Sequence, residues 1–127
     1  MNVPTELKYT ENDEWIKVEG KTGTVGITDF AQDQLSDVVF VEILVSEGSE
    51  VNAGDSCAVV ESVKAAADVY IPVSGKVIAV NEELADNPET INSDPYGDAW
   101  MVKIDLSNPE ELDSLMDADS YLVKHQE

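Results

Sequence analysis

The residue with the most chemical promise is Lys64, within Glu61-Ser62-Val63-Lys64-Ala65-Ala66-Ala67-Asp68. The β-forming run Cys57-Ala58-Val59-Val60 ends just before this segment, and a second run, Asp68-Val69-Tyr70-Ile71, leaves it at once. Two such runs so close together predict a tight hairpin with Lys64 at its tip. The flanking side chains are small or modest, so the amine would project from a rigid platform within reach of a modifying enzyme. A group attached there would swing between sites, and tethering would raise its local concentration near each partner. The plain alternative is a solvated turn lysine, a common role for lysine at a surface. Against it, the chain has only seven lysines, and Val63 and Ala65 to Ala67 stand where a turn would favour Gly, Asn or Asp.

The remaining reactive side chains have blander readings. Cys57 is the only cysteine, which excludes an intrachain disulfide and a thiolate metal cluster. It sits inside an apolar run and reads as a packing residue. His125 is the only histidine and lies near the C-terminus, which argues against a histidine triad or a multi-histidine zinc site. Trp15 and Trp100 read as core anchors. Asp94-Pro95-Tyr96-Gly97-Asp98 lacks the ligand spacing of an EF-hand and reads as a surface turn. No glycine loop of the phosphate-cradling type is present. The expectation is a chain that is not itself an enzyme.

The elements that must position Lys64 are mainly strands. Trp15 to Val18 alternates apolar and polar residues, and Thr22 to Ile27 follows after a turn near Glu19 to Lys21, which predicts a hairpin. Thr28 is placed to cap a short helix with Asp29 in its first turn, and with Phe30, Ala31 and Leu35 on its buried side. Val38-Val39-Phe40-Val41, continuing to Val45, reads as a buried strand. Glu47-Gly48 turns the chain, and Val51 to Asp55 forms a short strand and turn. Lys76 to Val80 and Trp100 to Ile104 are further strands. Asn87-Pro88 reads as a helix cap with proline at the first helical position. Asn108-Pro109-Glu110-Glu111 has the spacing of a capping box, with Leu112, Leu115 and Met116 on one helical face. A last helical segment is expected around Asp119 to Lys124. The Gly48, Val51, Gly54 spacing before Lys64 is partly echoed by Gly75, Val77 and Asn81 after it.

The chain has 127 residues, enough for one domain over residues 1–127 that buries roughly two thirds of its unfolded surface. Its formal net charge is −20, from 27 acidic residues against seven lysines and no arginine. Nucleic acid and anionic membranes call for the opposite sign, so neither is an expected partner. Basic protein surfaces fit better; solubility alone and a salty habitat are the alternative readings of the charge. No signal-peptide pattern opens the sequence and no apolar stretch is long enough to span a bilayer. A cytoplasmic location is expected.

Several motifs in series carry a family resemblance. Glu61-Ser62-Val63-Lys64-Ala65 resembles the lipoylation motif of glycine cleavage H proteins. Leu7-Lys8-Tyr9 followed by Asp13-Glu14-Trp15 looks like the opening of that family. Val25-Gly26-Ile27-Thr28-Asp29-Phe30-Ala31 is similar to its Gly-Ile-Thr-(Asp/Glu)-x-Ala segment. Val38 to Val41, Pro72-Val73-Ser74-Gly75, Val80-Asn81, Asn92-Ser93-Asp94-Pro95-Tyr96 and Trp100-Met101 continue the match in order.

The resemblance implies a mainly β fold, a barrel-sandwich hybrid of two antiparallel sheets with short flanking helices and a C-terminal helix. It implies lipoic acid bound covalently to Lys64 as N6-lipoyllysine, with Glu61, Ser62, Val63 and Ala65 forming the modification motif. It implies a lipoyl carrier that takes an aminomethyl group from glycine decarboxylase (the P protein) to aminomethyltransferase (the T protein). Dihydrolipoamide dehydrogenase (the L protein) would then reoxidise the arm, and lipoyl- or octanoyl-attaching enzymes would load it. In the family the loaded arm folds into a cleft that excludes water. Glu14 matches an acidic family residue that would attract the terminal amine; its alternative is a solvated carboxylate beside buried Trp15. Two positions depart from the pattern: Asp13 stands where many members have histidine, and Gln34 where some have a second one.

Other readings remain open on sequence alone. A lipoyl domain of a 2-oxo acid dehydrogenase usually carries Asp-Lys-Ala and adjoining linkers, neither of which is seen here. A biotin carrier usually has methionines beside the lysine. An unmodified β-rich binding module would leave Lys64 a free amine. A relay scaffold that passes lipoyl groups to other enzymes shares the same motif.

Overall fold

The computed structural model describes residues 2–125. Among these, nine strands form two antiparallel sheets. The strands are β1 (Lys8–Tyr9), β2 (Glu14–Glu19), β3 (Thr22–Ile27), β4 (Val38–Ile43), β5 (Glu50–Val51), β6 (Ser56–Ser62), β7 (Ala66–Tyr70), β8 (Gly75–Val80) and β9 (Val102–Leu106). The larger sheet has the order β1-β2-β3-β9-β8-β5 and the smaller β4-β6-β7. Both are open. They share one core, in which Ile16, Val25 and Ile104 of the larger sheet meet Val41, Ala58 and Val60 of the smaller. The expected mainly β architecture is therefore present, as two facing sheets that do not close.

The β2–β3 hairpin pairs Glu19 with Thr22, placing its turn where the sequence suggested. Trp15 and Ile16 are adjacent and both buried, because successive side chains in a strand point to opposite faces. Ile16 enters the main core, while Trp15 joins a second cluster with Leu7, Tyr9, Ala118 and Tyr121. The two echoed segments pair with each other: Val51 opposes Gly75, and the Gly48 N–H donates to the Val77 carbonyl at 2.7 Å.

Helix α1 (Asp29–Leu35) begins as expected, with Thr28 Oγ1 accepting from the Ala31 N–H and Asp29 in the first turn. Two single-turn helices follow β8, α2 (Glu83–Asp86) and α3 (Thr90–Ser93). Helix α4 (Ala118–Lys124) is capped by Asp117, whose side chain accepts from the Ser120 N–H. Tyr121 of α4 stacks on Tyr9 with ring centroids 4.7 Å apart, and its hydroxyl donates to Asp13 Oδ1 at 2.8 Å. His125 lies 3.0 Å from the same oxygen and stacks on Phe30.

Five expectations are corrected. Val38 to Val45 is not a uniformly buried strand: β4 stops at Ile43, and a register shift between Val38 and Phe40 leaves Val39 and Phe40 exposed. Asn87 does not cap a helix; it closes α2, and α3 starts only at Thr90. Asn108 makes no side-chain cap bond, and Pro109–Ser114 is a 3₁₀ turn. The Glu111 carboxylate instead accepts from the Ser74 N–H at 2.8 Å and from Ser74 Oγ at 3.0 Å. Leu115 and Met116 lie beyond that turn, and Met116 bridges to Tyr9. Trp100 precedes β9 and is half-buried, with Lys103 Nζ 5.0 Å from its ring centroid, so only Trp15 is a fully buried anchor.

Among the described residues no helix is long and apolar enough to cross a membrane.

Candidate functional site

Lys64 is the central one of the three residues, Val63, Lys64 and Ala65, that join β6 to β7 in a tight turn, as its spacing predicted. The Ser62 N–H donates to the Ala65 carbonyl at 2.7 Å and closes the turn. Ser62 Oγ accepts from the N–H groups of Lys64 (3.1 Å) and Ala65 (3.0 Å), and lies 3.1 Å from the Ala65 carbonyl that takes its proton. One hydroxyl thus fixes the backbone on both sides of the lysine. No residue of this turn has a positive φ, which explains why Val63 and Lys64 occupy it without glycine or asparagine. Val63, Lys64 and Ala65 are exposed, and Glu61 is exposed beside them. Among the described residues the Lys64 ammonium has no ion pair and no side-chain hydrogen bond. The site therefore offers a primary amine on a rigid turn, free to form an amide.

Strand β7 leads from this turn past two clefts. The first has a volume of about 180 Å³ and is lined by Ile27, Ala31, Leu35, Val60, Ala67 and Val69, with Asn12, Asp13, Gln34 and Asp68 also on its walls. Its apolar walls come from β3, α1, β6 and β7. It begins at Ala67, three residues from Lys64, or about 10 Å along an extended chain. Helix α1 is held against it by Asn92, whose Nδ2 donates to the Ser36 carbonyl at 2.7 Å and to Gln32 Oε1 at 2.9 Å. The Asn92 Oδ1 accepts from the Val38 N–H at 2.8 Å.

The second cleft, of about 270 Å³, is lined by Tyr9, Thr10, Asn12, Glu14, Tyr70 and Met116 among others. Glu14 is only 1% exposed, so the reading of a solvated carboxylate is overturned. Its Oε1 accepts from Thr10 Oγ1 at 2.7 Å and its Oε2 from the Tyr70 N–H at 3.0 Å. Burial pushes its carboxyl up to about 7, against the opposing pull of the Tyr70 and Thr10 hydrogen bonds. Asn12 lines both clefts, and Glu14 belongs to the one farther along β7 from Lys64.

The structure thus brings Glu61, Ser62, Val63, Lys64 and Ala65 together at one exposed tip and places Glu14 apart from it, across β7. Cys57 is fully buried, and burial pushes its thiol up to about 12, as suits a packing residue. The sequence reading gave no structural role to Thr10 or Asn92. The Thr10-to-Glu14 spacing was a local signal for the first; Asn92 partners residues more than fifty positions away, which no local pattern reveals.

Comparisons with known proteins cover nearly the whole chain. The family model described as Glycine cleavage H-protein matches residues 7–127. A glycine cleavage system H protein of Carboxydothermus hydrogenoformans is 56% identical over 119 residues, covering 94% of this chain and 91% of the relative. One from Symbiobacterium thermophilum is 58% identical over 120 residues, covering 94% and 93%. A probable glycine cleavage system H protein of Haloarcula marismortui is 53% identical over 120 residues, with 94% of each covered. The crystal structure of a glycine cleavage system H protein from Mycobacterium marinum superposes with a TM-score of 0.87 at 35% identity, covering 96% of this chain and 98% of that one. With the family model matched over residues 7–127 and relatives more than half identical over nearly its whole length, the chain belongs to the glycine cleavage H-protein family.

Proposed function

We propose that Lys64 carries a lipoyl group in amide linkage and that the chain acts as the carrier of a glycine cleavage system in the cytoplasm. The supporting observation is the exposed, unpaired lysine on a turn that Ser62 holds from both sides. A rigid base with a mobile side chain suits an arm that must visit several enzymes. When bound, the dithiolane supplies both the sulfur that receives an aminomethyl group and the redox couple. The partners in this reading are glycine decarboxylase, aminomethyltransferase, dihydrolipoamide dehydrogenase and the lipoyl- or octanoyl-attaching enzymes. The chain itself performs no bond-making step; it positions.

The apolar cleft between α1 and β7 is suited to cover an arm that folds back from Lys64, because its walls exclude water. The Glu14 carboxyl, in the next cleft, would lose its proton to favour an incoming ammonium and hold it by charge. Intact mass of the protein from its native source, followed by mapping of the modified peptide, tests the reading. A lipoyl or octanoyl adduct on Lys64 supports it. An unmodified Lys64, in cells that lipoylate other proteins, would overturn it.

A further inference from the structure

The outer face of β4 carries an apolar patch beside the Lys64 turn. Val39 is 55% exposed, Phe40 45% and Val63 70%. Regular alternation would send Val39 and Phe40 to opposite faces. The register shift between Val38 and Phe40 leaves both in solvent, the usual effect of an extra residue at a bulge. The Val63 N–H donates to the Asp37 carbonyl at 3.1 Å, which sets Val63 beside the start of β4. Phe40 opposes Glu61, and Glu61 opposes Ala66; residues directly opposed in an antiparallel pair share a face. Phe40 therefore shares the outer face with Glu61, the exposed Val39 and Val63 flank it on β4 and in the turn, and the exposed carboxylates of Asp37, Glu42 and Glu61 stand beside them, with Lys64 next to Val63 in the chain.

We infer that this patch is the docking surface for the enzyme that acylates Lys64, an inference that rests on the carrier reading of that lysine. Proximity selects the occupant. An enzyme working at the far end of the attached arm can leave the turn uncovered. The enzyme that forms the amide must bring its acyl carbon to Nζ itself, so its surface covers the residues around the turn. Burial of the three apolar side chains supplies attraction, and the carboxylates favour a partner with a basic rim. In the step served, deprotonated Nζ attacks the carbonyl carbon of an enzyme-bound acyl adenylate. The amide C–N bond forms, the acyl–phosphate C–O bond breaks, AMP leaves with that electron pair, and the proton of the amine passes to solvent.

The test uses the full unmodified chain as the varied substrate of a lipoate–protein ligase with lipoate, ATP and magnesium. Acylation is followed by intact mass, and each variant's fold by its melting curve. The double variant Val39→Ser/Phe40→Ser is expected to raise KM about tenfold at unchanged kcat. Phe40→Leu keeps an apolar surface and should stay near the parent, as should Val123→Ser, at an exposed position on α4. Should the double variant melt early, Val39→Ser alone carries the test with a smaller rise in KM. An unchanged KM in a folded variant, or a fall in kcat alone, overturns the docking surface and leaves Lys64 as the attachment site. Failure of the parent chain to be acylated on Lys64 overturns the carrier reading itself.

Discussion

Glu14 accepts a hydrogen bond from the Tyr70 backbone N–H at 3.0 Å, and so joins the first residue of β2 to the last residue of β7. These strands lie in different sheets, and β7 is the strand that descends from the Lys64 turn. A buried carboxyl thus ties the larger sheet to the strand that carries the site. Thr10 Oγ1 takes up its other oxygen, so both are satisfied when the group is ionised. Desolvation still dominates and holds the proton on to about 7.

This raised value has a stability consequence of definite sign. The unfolded carboxyl titrates near 4.5 and the folded one near 7. The folded state therefore has its full advantage from this group below 4.5, and loses it as the pH climbs through 7. Glu14→Gln keeps the shape, with its amide able to donate to Thr10 and its carbonyl to accept from Tyr70, but it does not ionise. Thermal melts of the two proteins from pH 4 to 8 should diverge, with the variant relatively more stable at pH 8 by up to about 3 kcal/mol. Parallel curves would show that Glu14 titrates as an ordinary surface carboxyl.

Ser62→Ala removes the hydroxyl that holds the N–H groups of Lys64 and Ala65. Because water can replace these bonds at an exposed turn, the expected loss of stability is only about 1 kcal/mol. The effect on presentation should be larger. Amide exchange at Lys64 and Ala65 should accelerate, and acylation of Lys64 should slow, while Ser62→Thr retains both. Unchanged exchange at these two amides would mean that the Ser62 N–H bond to the Ala65 carbonyl fixes the turn unaided.

What the sequence made legible was local. The Lys64 hairpin, the β2–β3 hairpin and the Thr28 cap each rest on neighbours within a few positions, where alternation and capping chemistry act directly. What it hid depends on distant partners. Val38 to Val41 has the composition of a buried strand, yet Phe40 faces outward by alternation and the bulge against β6 leaves Val39 exposed beside it. Glu111 has the spacing of a capping residue, yet Ser74, thirty-seven positions away, claims its carboxylate. Glu14 was singled out by its place in a motif, but its burial follows from Tyr70 and Thr10 closing around it. The clefts were hidden for the same reason, since their walls join segments far apart in the chain.

Asn92 is the side chain on which the α1 wall of the first cleft depends. It satisfies the Val38 N–H and the Ser36 carbonyl at the point where α1 ends and β4 begins. Asn92→Ala leaves both without these partners and should cost about 2 kcal/mol in chemical denaturation. Asn92→Asp keeps the acceptor for Val38 but loses the donor to Ser36, and should fall between the two. If Asn92→Ala unfolds at the same denaturant concentration as the parent, water replaces the clamp and α1 is held by its apolar face alone.

Two glycines separate steric from conformational cost. A Cβ on Gly75 would stand 2.2 Å from the Asp105 carbonyl oxygen and 2.5 Å from Ile104 Cγ2, because β8, one strand in from the edge of the larger sheet, approaches β9 there. The nearest atom belongs to the backbone, so relief requires the strands to part. Gly75→Ala should cost about 3 kcal/mol or more. Gly20, in the β2–β3 turn, has a φ of +64° and open space around it. Gly20→Ala meets no atom and bears only the left-handed backbone penalty of about 1 kcal/mol. Equilibrium unfolding of both variants should therefore show the larger loss at Gly75, although its φ is ordinary. A reversed order would mean that β8 and β9 yield easily, and that the sheet edge beside the second echoed segment is softer than its packing implies.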